Sequence, residues 1–360
     1  MYCTHQHNPL HCVIPPYMLE KLASKGKSAN VRDKALKSLR VSRYFRTRRL
    51  EAQNAFQALG FRAIAGAAAT AAPDKLIRKV YDAGGAEELP GKLIRGEGAK
   101  PTRDTAVDAV YDGAGSTYEL YREEYGRLSI DDRGMDIIQT VHFGQAYQNA
   151  FWNGEQMVYG DGDGSVFGDF TSDIDVIGHE LSHGVTQYEA GLIYEFQSGA
   201  LNEHFSDVFG SLVKQRAANE DAKTANWLIG ENVLVGKNYV LRSLKAPGTA
   251  FVNHPVLGTD PQPATMADYQ ELPLWDDQGG VHINSGIPNH AFYLAAIEIG
   301  GYAWKKAGLI WYRTLCDLLS ENATFVRAAQ ATVQAARGEF GAGSLEERAV
   351  TKAWKDVKIL

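Results

Sequence analysis

His179-Glu180-Leu181-Ser182-His183 sets two imidazoles four residues apart with a carboxylate between them. On a helix, residues four apart lie one turn apart on the same face, so both rings can reach one metal ion. Glu180 then stands beside that ion, where the base for a bound water belongs. Glu203 follows His183 at a distance of 203 − 183 = 20 residues, as a third ligand from a following helix. Two histidines and one glutamate leave the fourth position of a tetrahedral zinc open, which separates a catalytic zinc site from a closed structural one. A surface helix with a satisfied His pair is the alternative reading of the motif taken alone.

Composition limits what else can hold a metal. Cys3, Cys12 and Cys316 are the only cysteines, an odd number and too few for a disulfide framework or a Cys-rich zinc module. Of 360 residues, 44% are hydrophobic and 22% charged, an ordinary globular balance for two or three domains. The net charge of −6 is unevenly spread. Residues 1–50 carry 11 Lys+Arg against two acids (+9), leaving 37 − 11 = 26 basic and 43 − 2 = 41 acidic residues (−15) for the rest. A basic arm on an acidic body can bind nucleic acid or bind the body itself. No positively charged start followed by an apolar core marks a secretory leader, and the Ala-rich run 63–72 is too short to span a membrane.

The elements that must position the motif follow from spacing. Residues 18–59 read as helical, with Leu19, Leu22, Leu36 and Leu39 among Lys and Arg, and Pro15-Pro16 ahead. A linker is expected at 51–72, from its Ala, Gly and Gln content. From about Pro73 to Phe170, turn pairs such as Asp112-Gly113 and Asn153-Gly154 between short apolar runs predict a β-rich region. A helix over 172–189 carries both histidines, with Ser172 or Asp173 as N-cap. Further helices are expected at 199–217, 288–299, 303–319, 324–337 and 345–357, with irregular loops over 236–280.

Several longer motifs resemble the thermolysin family of neutral metalloproteases, from about Tyr81 onward. They are Asn149-Ala-Phe-Trp-Asn-Gly154, Met157-Val-Tyr-Gly-Asp-Gly-Asp-Gly164, the histidine motif, Gly199-Ala-Leu-Asn-Glu203, Ser206-Asp207 and Gly279-Gly-Val-His-Ile-Asn-Ser-Gly286. The front end, with Ile14-Pro-Pro-Tyr-Met-Leu19, resembles the short-propeptide, protealysin-like branch. The resemblance implies an α+β, two-lobed zincin: a β-rich N-terminal lobe (73–191) ending in the zinc helix, and a helical C-terminal lobe (192–360). A basic inhibitory propeptide (1–50) and a processing region (51–72) come first.

It also implies roles. His179, His183 and Glu203 would hold zinc, with Glu180 as general base. Asp207 would orient His179, whereas His204 points elsewhere. His282 and Tyr194 would stabilise the oxyanion, with Asp277 holding the His282 imidazole protonated. Asn149 and Ala150 would bind substrate main chain, and Arg242 a carbonyl beyond the cut. Val176, Ile229, Val233 and Leu241 would line an apolar pocket for a bulky residue just after it. Asp175 and Glu231 match calcium ligands of the family, but Lys214 and Asn226 stand where other ligands belong. One calcium ion or none is the expectation, and Asp161-Gly-Asp-Gly164 is read as a structural turn.

The expected activity is a zinc endopeptidase made as a latent precursor, acting on polypeptides, its propeptide bound in cis. No nucleic-acid or membrane partner is expected, and a monomer is. For the propeptide, two readings stand: a Cys12 thiolate capping zinc, or Pro-Pro-Tyr packing as a structural knob. Processing is expected between about 46 and 75, at Arg46-Thr-Arg-Arg49 or near Phe56 or Phe61. Two other classes are an idle partner-binding scaffold, against which the intact ligand, base and donor set argues, and a nucleic-acid binder using the basic arm. Export without a recognisable leader and a cytoplasmic location are both open.

Overall fold

The computed structural model describes residues 11–58 and 75–360, giving the backbone alone for His11 and residues 46–58. Cys3, the Ala-rich run and most of the expected processing region lie outside the described residues.

The N-terminal segment forms a short strand β1 (His11–Cys12), then helices α1 (Pro16–Lys25) and α2 (Ala29–Ala58). Pro16 begins α1, where its missing N–H is no loss, and Gly26 ends it. Helix α2 runs on to Ala58, into the segment expected to be linker.

The N-terminal lobe contains β2 (Arg78–Asp82), β3 (Lys92–Gly96), helix α3 (Thr105–Glu119), β4 (Ile137–Val141), β5 (Ala150–Trp152) and β6 (Met157–Tyr159). One mixed sheet has the order β1-β5-β6-β4-β2-β3. The parallel pairs are β2–β4 and β4–β6; β1 closes the β5 edge antiparallel, with Cys12 opposite Phe151. Helix α3 departs from the expected β-rich reading. Asp104 caps it, accepting from the Ala106 and Val107 N–H groups, and Val107, Val110, Tyr111 and Ala114 form its buried face. Gly113, read as part of a turn, is instead a packing glycine: a Cβ there would lie 2.7 Å from Ile177.

Helix α4 (Ile174–Tyr188) carries the histidine motif and α5 (Phe196–Ala218) the glutamate. Gly178 and Gly210 face each other where the two helices cross. A Cβ on Gly210 would sit 2.4 Å from the Asp175 carbonyl oxygen, so two bare backbones let the helices approach closely. The C-terminal lobe continues through a small hairpin, β7 (Leu228–Ile229) and β8 (Arg242–Ser243), to α6 (Asp277–Asn284), α7 (Gly286–Ile299), α8 (Ala307–Arg313), α9 (Phe325–Phe340) and α10 (Leu345–Asp356). Thr324 and Ser344 cap α9 and α10 through their hydroxyls. α5 is buried nearly all round and forms the centre of the core.

Candidate active site

Because α5 is enclosed, each polar side chain on it needs a partner, and these partnerships build the site. His179 and His183 from α4 meet Glu203 from α5, all three fully buried. Their Nε2 atoms are 3.1 Å apart, and the Glu203 carboxylate oxygens lie 3.5 Å from His179 Nε2 and 3.3 Å from His183 Nε2. Four ligands at about 2.05 Å in a tetrahedron sit about 3.3 Å from one another. The spacing of these three atoms therefore fits zinc, and Glu203 Oε2 is buried without a hydrogen bond. They form the one metal-capable grouping among the described residues.

Outer partners fix the rings. His179 Nδ1 lies 2.9 Å from Asp207 Oδ1. His183 Nδ1 lies 2.8 Å from Asn202 Oδ1 and 2.9 Å from Ser206 Oγ. Burial opposes ionisation of Asp207, but the Arg242 guanidinium and His179 outweigh it and hold the carboxyl well below the usual range. His204 is turned away, bonded to Asn289 and to the Trp311 indole, and burial lowers it to about 4. Sequence reasoning missed Asn202, Ser206 and Asn289 as partners; the four-residue step from Asn202 to Ser206, one turn of α5, was the available signal.

Glu180 is fully buried beside this cluster, its acidity weakened first by burial and then by Glu203. Across from it stands His282. Residues Asp277, Gln278, Gly279 and Gly280 make a left-handed turn (φ 50, 49, 81 and 83°). That turn brings Asp277 back onto His282: Oδ2 accepts from the His282 N–H at 2.9 Å, and Oδ1 takes Nδ1. Burial favours a neutral ring, but Asp277 and Glu203 outweigh it and raise His282 to about 9. The Tyr194 hydroxyl lies 3.1 Å from His282 Nε2 and donates to Glu203.

The N-terminal segment fills the cleft. The Val13 N–H donates to the Ala150 carbonyl at 3.2 Å. The Ile14 N–H donates to Asn149 Oδ1 at 2.9 Å, and Asn149 Nδ2 returns a bond to the Ile14 carbonyl at 3.1 Å. Arg242 Nη1 donates to the Val13 carbonyl at 3.0 Å while Nε and Nη2 hold Asp207 at 3.0 and 2.8 Å. His282 Nε2 lies 2.8 Å from the Cys12 carbonyl oxygen. The long 242–282 loop thus does bring Arg242 to His282. Val13, Val176, Ile229, Val233 and Leu241 are all buried in the main apolar core that runs through both lobes. Of the two readings of Cys12, the packing one fits the structure and the thiolate one does not. The Cys12 side chain shares the opposite sheet face with Phe143, Tyr147 and Phe151, and its carbonyl is what faces the site. On that outer face α2 contributes Val41 and Phe45, whose ring lies 5.2 Å from Phe151, and Ser42, 2.8 Å from the Tyr147 hydroxyl.

At the calcium-like position, Lys214 Nζ stands 2.7 Å from Asp175 and 3.1 Å from Glu231, while Asn226 also bonds Glu231. The ammonium occupies the ground between the acids. In the Asp161–Gly164 turn, Asp163 accepts from the Ser165 and Val166 N–H groups, as a structural turn does.

Comparison with known proteins agrees with this geometry. The thermolysin metallopeptidase catalytic domain matches residues 57–187, and the thermolysin metallopeptidase alpha-helical domain matches residues 190–359. Protease PrtS of Photorhabdus sp. (strain Az29) is 46% identical over 98% of this chain and 93% of its own length. An extracellular metalloprotease of Pectobacterium carotovorum subsp. carotovorum is 46% identical over 92% of each chain. The solved precursor of protealysin, a metalloproteinase from Serratia proteamaculans, superposes with a TM-score of 0.84 at 47% identity, covering 97% of this chain and all of that one. With the family domains spanning both lobes, the chain belongs to the thermolysin family and is a zinc metalloendopeptidase of its protealysin-like group.

Proposed function

We propose that this chain is a latent endopeptidase that cuts before a bulky apolar residue, with its own N-terminal segment as the inhibitor. The observation that carries the reading is the convergence of His179, His183 and Glu203 on one point, with Glu180 on one side and His282 and Tyr194 on the other. His179, His183 and Glu203 would hold zinc, which when bound would polarise the substrate carbonyl and lower the pKa of a water. Glu180 takes the proton from that water and delivers it to the leaving nitrogen. Protonated His282, held by Asp277, and the Tyr194 hydroxyl donate to the oxygen that gains charge. Asn149, Ala150 and Arg242 hold the main chain in register, and Val176 and Leu241 face the first side chain beyond the cut.

Latency follows from occupancy, since the seated segment uses the same donors and acceptors. Its basic charge, opposite to that of the body, guides docking, although the described contacts are chiefly apolar and backbone, with Lys37–Glu87 as an ion pair at 3.0 Å. Lys214 takes the place of calcium. The protein acts as a monomer on polypeptides, with no nucleic-acid or membrane partner, and outside the cell, as the name of the Pectobacterium relative says of that protein. No helix among the described residues is long and apolar enough to cross a membrane.

Glu180→Gln tests the base. Zinc content should stay at that of wild type while kcat on casein, after removal of the N-terminal segment, drops by a factor of about 10²–10⁴. A variant that keeps more than a tenth of the wild-type rate would remove Glu180 from this role.

A further inference from the structure

We infer that the Cys12–Val13 peptide bond is itself a cleavage site, set in the position of a substrate's scissile bond. This rests on the metalloendopeptidase reading above and assigns its first bond. Four backbone groups in a row define the register. The Cys12 carbonyl oxygen faces His282 Nε2 at 2.8 Å, where the oxyanion donors converge. The next nitrogen, on Val13, donates to Ala150 at 3.2 Å and faces Glu180. The Val13 carbonyl then meets Arg242, and the Ile14 N–H meets Asn149. A segment that merely plugged the cleft, or ran through it backwards, would not put a carbonyl on the donor side and the following N–H on the base side. Val13, fully buried in the main apolar core, supplies the apolar residue after the bond.

The step is a hydrolysis. One water adds across the bond, the C–N bond breaks, the water oxygen remains on Cys12 as a carboxylate, and the Val13 nitrogen leaves as an ammonium. Both new ends stay in place. Cys12 remains paired with Phe151 through β1, and Val13 is continuous with α1, whose Met18, Leu19 and Leu22 are buried against the core. Held by these contacts, the two new ends separate slowly, so the nicked chain accumulates before its pieces are released. The uncut and nicked forms are therefore both latent, and activity appears when the pieces leave.

The test incubates the zinc-supplied full chain and its Glu180→Gln variant, and follows mass under denaturing conditions beside casein cleavage. Wild type should yield a chain beginning at Val13 and a peptide ending at Cys12; the variant, with equal zinc, should yield neither. A synthetic peptide of residues 8–20, added to active enzyme, should be cut between Cys12 and Val13, and its Val13→Asp version at least tenfold more slowly. If casein is cut while the released N-terminal segment stays whole through Cys12–Val13, and the peptide is spared or cut elsewhere, the assignment is overturned and the endopeptidase reading stands. If the chain cuts no casein even after its linker has been opened by trypsin, the endopeptidase reading falls and takes this assignment with it.

Discussion

Replacing Asp207 by Asn removes a single charge from a pocket where two functions meet. Asp207 is fully buried and accepts from Arg242 Nε at 3.0 Å and Nη2 at 2.8 Å. It also accepts from Asn289 Nδ2 at 2.9 Å and lies 2.9 Å from His179 Nδ1. An amide of the same shape turns its NH₂ either toward Asn289 or toward the Arg242–His179 side, so a donor faces a donor in both orientations. Arg242, only 3% exposed, loses its counter-charge. Breaking one partner of a buried ion pair costs about 3–5 kcal/mol. Losing the outer partner of a ligating histidine lowers metal affinity about 10- to 100-fold. The two losses fall in different assays. Denaturant unfolding of the zinc-free chain reads the first, and competition with a fluorescent chelator reads the second. Asn289→Ala, which leaves the Asp207–Arg242 charge pair intact and removes one hydrogen bond from the carboxylate and one from His204, should cost less, about 1–3 kcal/mol, and leave zinc affinity nearly unchanged. An Asp207→Asn chain that loses under 1 kcal/mol and keeps zinc within twofold would refute the idea that this carboxylate ties the ligand to the substrate-binding arginine.

Gly210→Ala puts a Cβ 2.4 Å from the Asp175 carbonyl oxygen, so α4 and α5 must separate at a cost of about 1–3 kcal/mol, with weaker zinc binding; a rise in Tm from better helix propensity would contradict the close-approach argument. Lys214→Met leaves Asp175, 1% exposed, without its ammonium and should lower Tm, whereas a calcium chelator should leave wild-type Tm unchanged and Lys214→Asp should gain a calcium-dependent rise. If the chelator destabilises wild type, calcium is bound after all. Glu97, hydrogen-bonded to Arg78 and about a quarter exposed, has its carboxyl lowered to about 2. Its contribution is therefore present above the ordinary value of about 4.3 and lost as pH falls through about 2. Glu97→Gln should cost about 1–2 kcal/mol at pH 7, and the gap to wild type, read by denaturant unfolding, should close toward pH 2; a gap independent of pH would show that the charge is not what matters.

Much of the site was legible because its chemistry is local. Four-residue spacing on a helix fixes His179 with His183, and five residues separate Asp277 from His282, which the left-handed turn folds back on itself. Lys214 was readable only through the family resemblance, which set it among acids; the physical consequence of an ammonium there then followed. Helix α3 was not legible as a helix. Its Asp112-Gly113 pair carries the same composition as a turn, and only the neighbour Ile177 shows that the glycine serves close packing. The link from Arg242 to Asp207 joins residues 35 apart through a hairpin whose path no periodicity reports. Cys12 left two readings open in the sequence, and strand pairing with Phe151, which decides which way the thiol points, separates them.

The strand β1 is also the outermost strand of the sheet. When it departs, β5 is left with a row of unpaired backbone groups, and the loss of α2 bares Phe143, Tyr147 and Phe151 beside it. Open edges next to apolar faces recruit other chains, as in aggregation and strand exchange. On the proposed reading, the N-terminal segment would cover this edge as well as plug the cleft, and a processed chain would be the more aggregation-prone species.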